Sequence, residues 1–303
     1  MNTKLKYWIL ACRPHTLPLA ISGIGLGNIL AYQTGTFDWK IFVFSILTAT
    51  LLQILSNLAN DYGDSKHGSD NSSRIGPERA VQSGIISAAS MKKASIGVAI
   101  GAFVSGSLLL FFSRHVIGWT SILILLGLGL IAIWSAFGYT ASNKPYGYKG
   151  LGDLFVFLFF GLIAVCGSFY LQNNSLNVSA WFAAIAIGLF STAVLNLNNM
   201  RDIKNDKASG KITLAVRLGI IKAKHYHSFL IGFGILFSLF FLSSYYNVLW
   251  QWLFTTPLFL VGLNIYKVYR VNDSIGFYPL LKQLSLAVLF FVLSLGVGFI
   301  LIK

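Results

Sequence analysis

A chain of 303 residues with 55% apolar content, 11% charged residues and a mean hydropathy of +0.71 lies outside the range of soluble domains. Its net charge of +14 is split among short segments between apolar runs, which argues against a nucleic-acid-binding protein with one basic face. Two isolated cysteines, Cys12 and Cys166, exclude a disulfide framework and a CxxC metal site.

The first segment, MNTKLKYWILACR, is a basic and partly amphipathic arm suited to a membrane surface, and Pro14 and Pro18 of RPHTLP suit the start of a helix. The apolar run that follows lacks a small-residue cleavage site after a basic start, so it reads as a retained helix. Its GIGLG, residues 23–27, has no preceding strand and reads as small-residue helix packing, not as a nucleotide loop. Charge-free runs at 14–37, 41–60, 94–113, 115–143, 154–200, 225–266 and 283–302 are each long enough to span a bilayer. QNNSLN at 172–177 and SSYYN at 243–247 break the two longest into hairpins, so the sequence predicts an all-α polytopic membrane protein of nine helices. Twenty of the 23 Lys and Arg fall in the N-terminal arm and in alternate loops, which places the N-terminus in the cytoplasm and the C-terminus outside. Trp39, Trp119, Trp181, Trp250 and Trp252 fall at the opposite helix ends, as interface anchors do.

The chemistry concentrates where two of these helices end on the inner side. Of only nine Asp and Glu, five sit in two clusters: Asp61, Asp64 and Asp70 in SNLANDYGDSKHGSD (56–70), and Asp202 and Asp206 in NLNNMRDIKND (196–206). Helical spacing puts Asn57, Asp61 and Asp64 on one face, and likewise Asn198, Asp202 and Asp206; Asn60 and Asn199 lie beside them. Carboxylates at this spacing repel, and at the edge of a bilayer a cation is needed to offset them. Oxygen donors without His or Cys point to a hard ion, Mg²⁺. The shared Asn-to-Asp spacing also suggests a pseudo-repeat of helices 1–4 and 5–8 within one domain spanning 1–303.

Basic residues accompany both clusters. Arg13 stands at the first helix; Lys66, Arg74 and Arg79 lie in or beside the long Gly- and Ser-rich loop after the first cluster; Arg201 and Lys211 accompany the second. A long ordered loop in a membrane protein is usually functional, and these cations suit anionic oxygens beside a metal. YTASNKPYGYKGLGD, with Tyr139 and Lys144, is another inner-face segment and a candidate wall of the substrate site, while its Asp153 also suits a helix N-terminus. Two metal-holding acid clusters flanked by Lys and Arg form a diphosphate site, and in a membrane this suggests an allylic prenyl donor whose C–O bond breaks to a carbocation.

NDYGD followed by DIKND resembles the UbiA superfamily of membrane prenyltransferases. RPHTLP, RIGPERAVQSG, KPYGYKGLGDLFVFLFFG and LNLNNMRDIKNDKASGKITLAVRLG extend the likeness over residues 13–219 and resemble the branch that prenylates 1,4-dihydroxy-2-naphthoate for menaquinone. The resemblance implies nine helices in the bacterial cytoplasmic (inner) membrane with a cytoplasmic active site, a polyprenyl diphosphate donor, a Mg²⁺-bound diphosphate and release of CO₂ from the acceptor. It assigns metal and diphosphate roles to Asp61, Asp64, Asp202 and Asp206. The superfamily pattern Asn-Asp-x-x-Asp-x-x-x-Asp places its last acid at Gly68, so Asp70 departs from it. Within the superfamily the rival acceptor is 4-hydroxybenzoate; outside it the rival is an ion-coupled transporter, disfavoured because the acids lie at helix ends and not at a midplane break.

Overall fold

The structure, a computed structural model, describes residues 2–67, 79–142 and 145–302, and these are helical with no strand among them. Asp70, Arg74 and Lys144 lie outside the described residues. A surface helix α1 (Thr3–Ala11) leads through a 3₁₀ turn (Pro14–Thr16) into α2 (Leu17–Thr34), followed by α3 (Trp39–Lys66), α4 (Ala88–Ser113) and α5 (Trp119–Gly138). One rod then runs through α6 (Gly152–Val156), a π-wound segment (Phe157–Gly167) and α7 (Ser168–Asn173). The chain closes with α8 (Val178–Ala208), α9 (Leu214–Ser243), α10 (Pro257–Arg270) and α11 (Phe277–Ile302).

The helix starts follow from polar residues that satisfy the first free N–H groups. Asp38 accepts from the Lys40 amide at 2.7 Å, Asn177 from Ala180 at 2.8 Å and Thr213 from Val216 at 3.3 Å. Among the described residues, eight helical stretches are long and apolar enough to cross a membrane. The stretch expected as the second arm of the 225–266 hairpin differs from a simple span. It begins as a 3₁₀ segment (Leu249–Thr255) and continues as the 14-residue α10, because Pro257 lacks an N–H and starts a new helix.

Helix α8 is the axis of the bundle: two thirds of its apolar window is buried, against α9, the π-wound segment, α11 and α2. Ala180, Ala183, Ala184, Ala186 and Ala193 let those neighbours come close, since small side chains are what van der Waals packing inside a bilayer rewards. GIGLG has the packing role expected of it. A Cβ on Gly23 would stand 2.6 Å from the Phe160 carbonyl oxygen, and one on Gly27 would meet Ser168 Oγ and the Val165 carbonyl. Helix α3 packs on α4, α5 and α2, so α3 and α8 each lead a group of helices with α2 touching both.

The buried amide of Gln172 is satisfied internally where α2, α3 and α7 meet, as a low-dielectric surrounding requires. Gln172 Nε2 donates to Asn28 Oδ1 at 2.7 Å and to the Asp38 carbonyl at 3.0 Å, and its Oε1 accepts from the Asp38 amide at 2.7 Å. Trp39, Trp119, Trp181 and Trp250 are exposed, whereas Trp252 packs edge-on to Tyr246 at 5.6 Å.

Candidate active site

The C-terminal end of α3 turns its acids into the bundle. Asp61 and Asp64 are 1% and 5% exposed. Asp61 Oδ2 accepts from the Ala80 amide at 3.3 Å, while its Oδ1 is buried with no hydrogen-bond partner. Asp64 accepts from the Tyr148 hydroxyl at 3.2 Å. Asn57 is engaged elsewhere: its amide donates to the Cys12 carbonyl at 2.9 Å and Thr16 Oγ1 at 3.1 Å, tying the 3₁₀ turn to α3. That turn places Arg13 in the left-handed region, φ +47°, a conformation costly for a residue with a Cβ and held by the surrounding contacts. Asn60 Oδ1 accepts from Thr140 Oγ1 at 2.9 Å. Gly63 permits this approach, since a Cβ there would stand 2.6 Å from the Ala141 nitrogen and 2.7 Å from the Thr140 oxygen.

The C-terminal end of α8 is arranged differently. Buried Arg201 clasps Asp202 through Nε (2.8 Å) and an NH2 (2.6 Å), and that NH2 also donates to Asn198 Oδ1 at 2.9 Å. Lys211 reaches back from the loop after α8 to within 3.8 Å of Asp206. Burial pulls the Lys211 ammonium toward neutrality, but Asp64 and Asp206 outweigh it and net raise its pKa, so the group stays charged. Tyr139 is pushed above the usual phenol range, first by burial.

The two helix ends line one cavity of about 480 Å³. Its inner end carries Asp61, Asp64, Asp202 and Asp206 together with Arg13, Arg79, Arg201 and Lys211, so its fixed charges cancel among the described residues. Asn57, Asn60, Asn198, Asn199 and Tyr139 also line it. On α3 the lining runs from Asp64 back to Ser45, roughly 28 Å of helix at the usual rise per residue. The far part is apolar, with Ala102 and Leu109 of α4 and Gly129 and Ile133 of α5. Between the two ends stand Tyr139, Tyr146 and Phe155, the last two stacked at 4.2 Å.

Of the described candidates, Lys66 alone does not line the cavity; it is exposed at the end of α3. Sequence reasoning missed Tyr148, His15 and Tyr278. Tyr148 stood in a segment read as a wall, but nothing in its spacing ties it to Asp64. No three His, Cys, Asp or Glu side chains converge on a single metal point among the described residues. The donors nevertheless fit a hard divalent ion: all are oxygen, and Asp61 presents a buried carboxylate oxygen without a hydrogen bond.

The profile of the UbiA prenyltransferase family matches residues 19–276. The chain belongs to the UbiA prenyltransferase family. A relative in Escherichia coli (strain K12), a 1,4-dihydroxy-2-naphthoate octaprenyltransferase, is 44% identical over 283 residues, covering 93% of this chain and 91% of the relative. Two solved structures share the fold of this UbiA-family chain. The apo UbiA homologue from Aeropyrum pernix K1 has a TM-score of 0.69 at 14% identity, covering 94% of this chain and 97% of that one. The UbiA homologue from Archaeoglobus fulgidus bound to DMAPP and Mg²⁺ has a TM-score of 0.58 at 12% identity, covering 96% and 99%.

Proposed function

We propose that this prenyltransferase moves a polyprenyl group from polyprenyl diphosphate to 1,4-dihydroxy-2-naphthoate, with loss of CO₂, in menaquinone biosynthesis. The observation that carries the reading is one cavity with four carboxylates and four cations at its inner end and an apolar extension behind them. The name of the 44% identical relative supports the acceptor. Bound Mg²⁺, held by Asp61 and Asp64 from α3 and Asp202 and Asp206 from α8, would supply the positive charge that stabilises the leaving diphosphate.

The chain's own residues do the rest. Lys211, Arg79 and Arg13 offer charged donors to the diphosphate oxygens. The allylic C–O bond breaks with its electron pair on the diphosphate, and the faces of Tyr139, Tyr146 and Phe155 favour the allylic cation. The apolar walls hold the prenyl chain and keep water from the cation. The ring carbon bearing the carboxylate forms the new C–C bond, and departure of CO₂ returns the electron pair that restores the aromatic ring.

This reading includes nine spans, counting the 3₁₀ segment and α10 together as one of roughly 35 Å by their rises per residue. It puts the N-terminus and the active site on the cytoplasmic side of the bacterial inner membrane, where the basic loops lie. The test is turnover in membranes supplied with a polyprenyl diphosphate and dihydroxynaphthoate. We expect activity lost in EDTA and restored by Mg²⁺; turnover indifferent to EDTA overturns the metal role, and preference for 4-hydroxybenzoate in competition overturns the acceptor.

A further inference from the structure

The cavity has a second corner that the diphosphate chemistry leaves unused. It is built around Tyr278, in the first turn of α11. The His15 ring meets Tyr278 edge-on at 5.8 Å, and the His15 carbonyl accepts from Ser285 Oγ at 3.0 Å, which fixes the 3₁₀ turn against α11. Lys282, one helical turn on, holds its ammonium 4.4 Å from the Tyr278 ring centroid, and the Arg201 guanidinium lies 5.7 Å from it on another side. Leu19 and Leu281 supply apolar wall beside His15 and Tyr278, and all four line the cavity.

This corner is electrostatically unlike the opposite one. There, Lys211 stands between Asp206 at 3.8 Å and the Tyr148 ring at 5.6 Å, with Tyr148 in turn bonded to Asp64. Here, Asp202 already neutralises Arg201, and no carboxylate lies within ion-pair distance of Lys282 among the described residues. The whole cavity is charge-balanced as it stands. Two divalent cations and one diphosphate trianion added to it leave one positive charge over, the complement of one further monoanion.

We propose that the His15–Tyr278–Lys282 corner seats the acceptor, taking a planar aromatic carboxylate with its ring against Tyr278 and Leu281 and its carboxylate toward Lys282. The inference rests on the reading of the cavity as an aryl prenylation site and adds where the aryl acid sits. Tyr278 and His15 give the ring its faces and edges, while Lys282, at the exposed rim, selects for the acid. The corner is a substrate-positioning site and has no part in diphosphate departure.

The experiment measures binding of 1-hydroxy-2-naphthoate, a carboxylated analogue that resists oxidation, to the purified full chain in lipid nanodiscs with EDTA and no donor. We expect Lys282→Gln to weaken this binding about five- to tenfold while leaving that of 1-naphthol, which lacks the carboxylate, unchanged. Tyr278→Leu weakens both, and in turnover assays each variant raises the KM for the acceptor and not for the donor. Lys282 is exposed, so Lys282→Gln decides the matter even if Tyr278→Leu fails to fold. Unchanged naphthoate binding in Lys282→Gln, or a raised KM for the donor alone, overturns the proposal. If the wild type prefers another aryl acid and Lys282→Gln raises the KM of that acid, the corner stands and only the naphthoate assignment falls.

Discussion

The C-terminal ends of α3 and α8 carry the same Asn-to-Asp spacing, yet they hold their carboxylates by different means. On α3 the hydrogen-bond donors are neutral, a backbone amide for Asp61 and a tyrosine hydroxyl for Asp64, while the cations Arg13 and Lys211 act on these acids electrostatically, and one Asp61 oxygen has no hydrogen bond. On α8 the partners are cations, Arg201 clasping Asp202 and Lys211 beside Asp206. A buried carboxylate oxygen without a hydrogen bond is costly and open to a ligand; a buried ion pair in direct contact is already satisfied and resists being opened. The α3 end is therefore the side prepared for an incoming cation, and the α8 end must release Asp202 from Arg201 before that acid can join.

The largest effects should come from breaking each side in turn. Asp61→Asn removes the bare carboxylate; we expect kcat to fall by roughly a thousandfold or more. Thermal unfolding of the same variant should show an unchanged or raised midpoint, because the lost charge sat on a buried carboxylate with one oxygen unbonded and repelled Asp64. Asp202→Asn should cut kcat by orders of magnitude too, but with the opposite stability result. It strands Arg201, 4% exposed, and costs about 3–5 kcal/mol, the range for a broken buried pair. Equal midpoints for the two variants would erase the contrast between the two ends.

Much of the frame was legible beforehand. Long charge-free runs announce membrane helices because a bilayer leaves the backbone no alternative, and polar breaks at 172–177 and 243–247 fall where α7 and α9 end. The acid clusters stood out because Asp is rare in this chain and helical spacing aligns it. What the sequence could not convey was pairing across elements. Asn57 looked like a ligand beside Asp61; it lines the cavity, and its amide nitrogen also ties it to Cys12 and Thr16, about 40 positions earlier in the chain. Arg201 looked like a substrate cation; it lines the cavity, and its guanidinium also clasps the neighbouring Asp202. His15 and Tyr278 are brought together only by the docking of the 3₁₀ turn on α11, which no local pattern records.

A smaller effect tests whether the α3 end depends on its tight seat. Gly63 lies between Asp61 and Asp64 and abuts the backbone of Thr140 and Ala141, so Gly63→Ala must push the turn after α5 away. Backbone cannot swing aside as a side chain can, and overpacking of this kind costs about 1–3 kcal/mol. Activity should drop about tenfold or more as Tyr139 and Tyr148 leave their places, and a lowered thermal midpoint should accompany it. Gly129→Ala is the control, since a Cβ at Gly129 meets nothing within 4 Å. It should leave the midpoint unchanged.

The least drastic change sharpens the comparison most directly. Tyr148→Phe removes only the hydroxyl that donates to Asp64 at 3.2 Å and keeps the ring that Lys211 faces at 5.6 Å. A single hydrogen bond to a charged group contributes about 1.5–3 kcal/mol, less where water replaces it, so a several-fold change is the expected scale. Its direction follows from the Asp64 oxygen that the hydroxyl occupies. With the hydroxyl gone, Asp64 loses a competitor for its oxygen, so the Mg²⁺ concentration giving half-maximal turnover should fall or hold. The donor KM, set largely by cations, should stay the same. Were the hydroxyl instead aimed at the diphosphate, Tyr148→Phe would raise the donor KM and leave the Mg²⁺ requirement alone. A Mg²⁺ titration run at two donor concentrations separates the two outcomes.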